Sequence, residues 1–428
     1  MQIPIEQYTL ENGLRVVLSR DDALPIVAVN LWYSVGSRDE RPGRTGLAHL
    51  FEHMMFQGSL NVSDTQHIQM VERVGGTINA STWLDRTNYY TILPSSHLEL
   101  ALWLDADRMA GFVAALTQEK FDNQREVVKN ERRQRVDNAP YGDWDERLQR
   151  LVWPEDHPYH HSVIGSMEDL DAASLDDVAN FFRTYYAPNN AVLTLCGDFE
   201  PDEARRMIER HFGPVPRGPE VPALPGQPVI APIPLAAEVR ERVESAVALS
   251  RVYVAWRIPP YGAPEYYVAD LLSELLAGGK SARMYRSLVR EQRLTASVGA
   301  FVFPVVTGAS AFVLRGNALP GQAPEPLEEA MMAELREVAE TPPTPAEMER
   351  AMTGLEARRI LELQKVSERA DNISMMATYF GDPGLINTEL ERYRGLTAHD
   401  VQAFVRTYLN PDNRVVLTYV PQPAAEAA

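Results

Sequence analysis

The chain has 428 residues, 45% hydrophobic and 23% charged, which suits two or three folded domains and excludes a disordered polymer. A formal net charge of −18 argues against nucleic acid as a partner, because phosphate binding needs a basic surface. The surplus carboxylates keep the protein soluble and would favour basic peptides among its ligands.

The N-terminal run Met1-Gln-Ile-Pro-Ile-Glu-Gln-Tyr has neither the basic start nor the apolar stretch of a signal peptide. No apolar segment is long enough to span a bilayer, so no membrane partner is expected. The cytoplasm is the expected compartment, or the periplasm if a signal has been removed. Leu14-Arg-Val-Val-Leu-Ser and Ile26-Val-Ala-Val-Asn-Leu-Trp-Tyr read as strands, and residues 45–57, 65–74, 96–112 and 118–136 as helices.

The first helix carries Gly46-Leu-Ala-His-Leu-Phe-Glu-His-Met-Met-Phe. His49 and His53 are one turn apart and share a face, which suits two ligands of a tetrahedral Zn²⁺. Glu52 reaches the same side without having to bind. Zinc brings the pKa of bound water to about 7, and a carboxylate beside that water can take its proton and later protonate a leaving amine. The remaining side chains, Leu47, Leu50, Phe51, Met54, Met55 and Phe56, are apolar. The helix is therefore expected to be buried, where two histidines and a glutamate need partners or a metal. The third ligand is sought on the helix at 118–136, which offers Asp122, Glu126 and Glu131, with Gln124 seven residues before Glu131 on the same face. Spacing alone does not choose among them.

Ser174 to Val192 reads SLDDVANFFRTYYAPNNAV, and Thr397 to Val415 reads TAHDVQAFVRTYLNPDNRV. Each has a Ser or Thr N-cap, an amphipathic helix, a Pro-Asn turn and a β-branched strand, which indicates an internal duplication. The lone cysteine, Cys196, follows the first copy in an apolar strand and reads as a core residue. Between the copies, residues 214–234 carry eight prolines, a density that favours an extended linker. The expected organisation is α+β: a zinc-binding catalytic domain at 1–213, the linker at 214–234, and a homologous domain without a metal site at 235–428. A serine peptidase is disfavoured, since no Gly-x-Ser-x-Gly elbow is present.

The sequence resembles the pitrilysin-type zinc peptidases over nearly its whole length. The resemblance rests on Glu11-Asn-Gly-Leu-Arg-Val, the helix at His49, Gly75-Gly-Thr-Ile-Asn-Ala-Ser-Thr, Thr87-Asn-Tyr-Tyr, Gln124-Arg-Glu-Val-Val-Lys-Asn-Glu-Arg-Arg and His157-Pro-Tyr. It implies His49, His53 and Glu131 as zinc ligands and Glu52 as general base. Gln124 takes a position usually held by a glutamate behind the metal, where it can still hydrogen-bond. The resemblance also implies that Asn79 and Ala80 lie on an edge strand that a peptide substrate would extend. In the second half Arg290 matches a substrate-steadying arginine, but its companion tyrosine falls on Ser297, or on Ala296 if one residue is deleted, and Tyr285 does not fit. A complete metal motif with an incomplete Arg/Tyr pair implies one subunit of a heterodimer whose paralogous partner supplies the pair. The alternatives are a self-sufficient homodimeric peptidase and a non-catalytic structural subunit of the same family.

Overall fold

The computed structural model describes residues 2–222 and 235–422, so the linker read at 214–234 lies outside the described residues from 223 onward. Its described part, 214–222, forms neither helix nor strand, as its prolines dictate. Among the described residues, no helix is long and apolar enough to cross a membrane.

The fold is α+β and is built on two sheets. The first contains β1 (Glu6–Thr9), β2 (Arg15–Arg20), β3 (Ile26–Tyr33), β4 (Thr77–Thr82), β5 (Thr87–Pro94) and β6 (Ala191–Gly197), in the order β1-β2-β6-β3-β5-β4. The second contains β7 (Val239–Ser245), β8 (Arg251–Ile258), β9 (Thr295–Phe303), β10 (Ser310–Ala318) and β11 (Val415–Pro421), in the order β7-β11-β8-β10-β9. In each sheet the strand that closes the repeated segment, β6 or β11, pairs parallel with one neighbour and antiparallel with the other. The two copies of that segment fold alike. Ser174 and Thr397 cap the helices Leu175–Tyr185 and Ala398–Tyr408, each in a reciprocal capping box with the Asp three residues on.

Period-two alternation gives the first sheet two apolar faces. Val16, Leu18, Val27, Val29 and Leu31 pack with Leu50, Phe51 and Met54 of the helix Leu47–Met54 in the larger core. On the opposite face Val17, Ala28, Trp32 and Val192 pack against Ala370, Ile373 and Ala377 of the helix Val366–Tyr379. Cys196 belongs to this second core. Burial pushes its thiol up to about 11, which keeps it inert at neutral pH.

The second sheet is covered in the same way. Val252, Val254, Trp256 and Ile258 face one core, while Tyr253 on the reverse face stacks on Trp144 of the helix Trp144–Val152, with centroids 5.0 Å apart and planes within 4°. The chain therefore divides into two compact units that follow the sheets but not every helix. Arg133–His160 belongs with the second unit and Ile360–Thr388 with the first. The helix predicted at 118–136 keeps α geometry from Gln118 to Arg132 and continues as a π turn over Arg133–Asp137.

In the second unit, the helix Pro345–Leu363 begins with a capping box between Thr344 and Glu347. Arg283 also grips the Glu347 carboxylate through Nε at 2.7 Å and Nη2 at 2.9 Å. The Arg283 hydrogen bond leads the effects that hold this carboxyl down at about 2. A depressed carboxylate adds stability that is complete above its unfolded pKa of about 4.3 and lost as pH falls through the folded value. Glu347→Gln should therefore lower unfolding stability at pH 7 by about 1–3 kcal/mol. The gap from the native chain should shrink steadily between pH 4.5 and pH 2 in urea titrations. A gap that stays constant over that range would show that the ion pair does not carry the effect.

Candidate metal centre

The helix Leu47–Met54 starts at Gly46, whose φ of 86° is left-handed. A Cβ there would lie 2.5 Å from the carbonyl oxygen of Ile164, so only glycine fits. The exposed N–H groups of the first turn need an acceptor, and a buried carboxylate supplies it. Glu40 Oε2 accepts from Gly46 N–H at 2.9 Å, and Oε1 accepts from Ala48 N–H at 2.7 Å. His161 Nε2 lies 3.0 Å from the same carboxylate and 2.9 Å from the Ser37 carbonyl oxygen. Burial pushes the Glu40 carboxyl up, against the pull of His161. Burial opposes charge on His161, and its bond to Glu40 outweighs that, so the imidazole titrates above its ordinary value. The pair anchors the start of the helix from a loop and from a residue far along the chain.

Leu47, Leu50, Phe51 and Met54 fill the core side of the helix, which leaves His49, Glu52 and His53 on the other side, half-buried. The two imidazole rings have centroids 4.9 Å apart and lie nearly perpendicular, at 83°. Glu131, on the penultimate residue of the helix Gln118–Arg132, meets them. Its Oε2 is 3.4 Å from His53 Nε2 and 4.0 Å from His49 Nε2. One ligand atom from each residue lies within 4.8 Å of the others, and this is the group found among the described residues that could hold a metal ion. Tetrahedral ligands at about 2.0–2.2 Å from zinc stand about 3.3–3.6 Å apart; the His53–Glu131 pair at 3.4 Å matches this, and the His49–Glu131 pair at 4.0 Å would have to draw in slightly, so two imidazoles and a carboxylate suit that ion. Three protein ligands would also leave a fourth position open, as catalytic zinc sites do.

Asp122 and Glu126, the other two acids considered on this helix, are engaged elsewhere. Asp122 pairs with Arg125 at 2.9 Å and Glu126 with Lys129 at 3.1 Å. Gln124 is buried two turns before Glu131.

Glu52 is held by Thr82 on β4, whose Oγ1 donates to Glu52 Oε2 at 2.6 Å. Burial raises the Glu52 carboxyl above its usual range. Thr82, His53 and Arg86 pull the other way, and the Glu131 charge adds to the rise. A raised carboxyl is better matched to proton transfer near neutral pH.

Asn79 and Ala80 also lie on β4, which ends the sheet order beside β5 and so, among the described residues, offers a free edge. The Ala80 N–H donates to the Asn79 side-chain oxygen at 2.9 Å, which occupies a group that an added strand could use. Arg290 lies in the second unit, exposed, with its guanidinium over the ring of Tyr285 at 5.6 Å. Ser297 is exposed on β9, the edge strand of the second sheet. Sequence reasoning did not single out Glu40 and His161, because their signal is tertiary. Thr82 closes the run Gly75-Gly-Thr-Ile-Asn-Ala-Ser-Thr, but nothing in that run points to Glu52.

The chain is similar to known proteins over most of its length. Residues 15–153 match the insulinase family of peptidases, family M16, and residues 172–355 match the M16 inactive domain. The chain is 30% identical over 366 residues to the zinc protease PqqE of Helicobacter pylori, a match that covers 85% of this chain and 81% of that protein. It is 27% identical over 410 residues to an uncharacterized zinc protease of Mycobacterium leprae, covering 94% and 88%. A solved structure of a protease from Helicobacter pylori superposes with a TM-score of 0.91 at 27% identity, covering 98% of this chain and all of that one.

Proposed function

The chain belongs to the M16 family of peptidases, and we propose that it is the zinc-bearing subunit of a metalloendopeptidase that hydrolyses short or unfolded peptides. The observation that carries this reading is the meeting of His49, His53 and Glu131 with Glu52 beside them. The three ligands would hold zinc, which when bound supplies a Lewis acid for the scissile carbonyl and brings water to a pKa of about 7. Thr82 occupies Glu52 Oε2 and leaves Oε1 to take a proton from water and to pass it to the leaving amine nitrogen. The β4 edge at Asn79 and Ala80 would align the peptide by main-chain pairing, which tolerates many sequences. Gln124, buried two turns before Glu131, would steady the helix that carries it.

The second unit offers Arg290 but a serine at 297, so this reading includes a paralogous partner that brings an Arg/Tyr pair to the developing oxyanion. The test is turnover of a fluorogenic peptide by the zinc-loaded chain, alone and after mixing with such a partner. One lost oxyanion donor is worth about 10²–10³ in rate, and mixing should restore a factor of that order. Full activity in the chain alone, with no gain on mixing, would replace the heterodimer by a self-sufficient homodimer. A chain that binds no zinc and stays inactive with its partner would favour a structural subunit.

A further inference from the structure

On the face of the first sheet opposite the metal helix lies a half-open cavity of about 160 Å³. Ser81 of β4, Asn88 and Tyr90 of β5, and Glu368 and Asp371 of the helix Val366–Tyr379 line it. Strand alternation fixes this placement. Thr82 points to Glu52 and Ala80 joins the core with the metal helix, so Ser81 between them faces the other way. Ser81 stands opposite Asn88, and its hydroxyl donates to the Asn88 side-chain oxygen at 2.7 Å.

Two carboxylates, Asp371 and Glu368, line the cavity, and one guanidinium, that of Arg86, stands at its wall. Asp371 Oδ1 accepts from Trp32 Nε1 at 2.8 Å, Asn88 Nδ2 at 2.9 Å and Asn30 Nδ2 at 3.1 Å. Those three donors fix the carboxylate and leave Oδ2 for another partner. Glu368 is one turn away on the same helix face. Arg86, on the β4–β5 turn, commits a guanidinium nitrogen to Ser81 and Asn88. An engineered cavity of about 150 Å³ accepts benzene, so this volume suits one side chain rather than a larger ligand. A peptide paired along the free edge of β4 would send alternate side chains to the face of Ser81.

We propose that this cavity is a subsite for one basic side chain of the substrate, with Asp371 and Glu368 as specificity-determining carboxylates. The inference rests on the peptidase reading above and deepens it by naming the substrate class: peptides with a lysine or arginine at one fixed position.

The test uses peptides that differ only in carrying arginine or its neutral isostere citrulline, with the residue moved through successive positions. At one position the native chain, with zinc and partner supplied, should prefer arginine by about tenfold in kcat/KM. Glu368→Gln and Asp371→Asn should each bring that ratio towards one. Asp371 has structural hydrogen bonds, so Glu368→Gln, which disturbs none, keeps the test valid if Asp371→Asn fails to fold. The same peptide pair should show the same ratio in binding to the inactive Glu52→Gln chain. Equal cleavage and binding of the two peptides at every position, or a preference that survives Glu368→Gln, would overturn the subsite while leaving the peptidase intact. Absence of cleavage of every peptide would instead strike at the peptidase reading, and binding to Glu52→Gln would then decide the subsite alone.

Discussion

Glu52→Gln should bind zinc as the native chain does and lose about 10²–10⁴ of its peptide turnover. The amide matches the carboxylate in size, and its oxygen can still accept the hydrogen bond from Thr82. It cannot take a proton from water or return one to an amine. Metal content should not change, because Glu52 stands outside the group formed by His49, His53 and Glu131. Paired assays of kcat and bound zinc check this. Native turnover in the variant would remove Glu52 from proton transfer, and loss of zinc would show that it helps hold the metal.

His53→Ala and Glu131→Ala should each cut zinc occupancy from near one per chain to a small fraction and abolish turnover with it. Glu131 Oε2 lies 3.4 Å from His53 and 4.0 Å from His49, so removing this carboxylate leaves only two imidazoles to hold the ion. His49→Ala should behave in the same way. Gln124→Ala should cost far less, since an outer-shell change typically weakens metal binding by 10- to 100-fold at most. Elemental analysis after gel filtration reads the occupancy, and circular dichroism controls for folding. Undiminished zinc in Glu131→Ala would return the third ligand to Asp122 or Glu126, despite their pairs with Arg125 and Lys129.

The histidine motif was legible because helix arithmetic is local: residues four apart share a face whatever the rest of the chain does. The duplication was legible for a similar reason. Ser174 and Thr397 carry their capping partners three residues on, and both segments became a helix, a turn and a strand at the matching place in its sheet. The carboxylate that meets the two histidines was not legible from spacing. Asp122, Glu126 and Glu131 all lie on one helix, and which of them meets the histidines is decided by packing between helices far apart in sequence.

The exchange of helices was also out of reach. The uniformly buried strand Ala191–Gly197 announces that both faces of its sheet are covered, but not that Val366–Tyr379 covers one of them. The supports of the metal helix were hidden for the same reason, since Glu40 and His161 meet only in the folded chain. Read in sequence, each is an ordinary polar residue in a loop.

The most direct measurement is cleavage of an unstructured peptide by the chain mixed with the proposed paralogous partner, first as isolated, then stripped by a chelator, then restored with one equivalent of zinc. A zinc peptidase built on His49, His53 and Glu131 must lose cleavage on stripping and regain it with that single equivalent. Cleavage that survives complete removal of metal, or that never appears with zinc and partner both supplied, would contradict it.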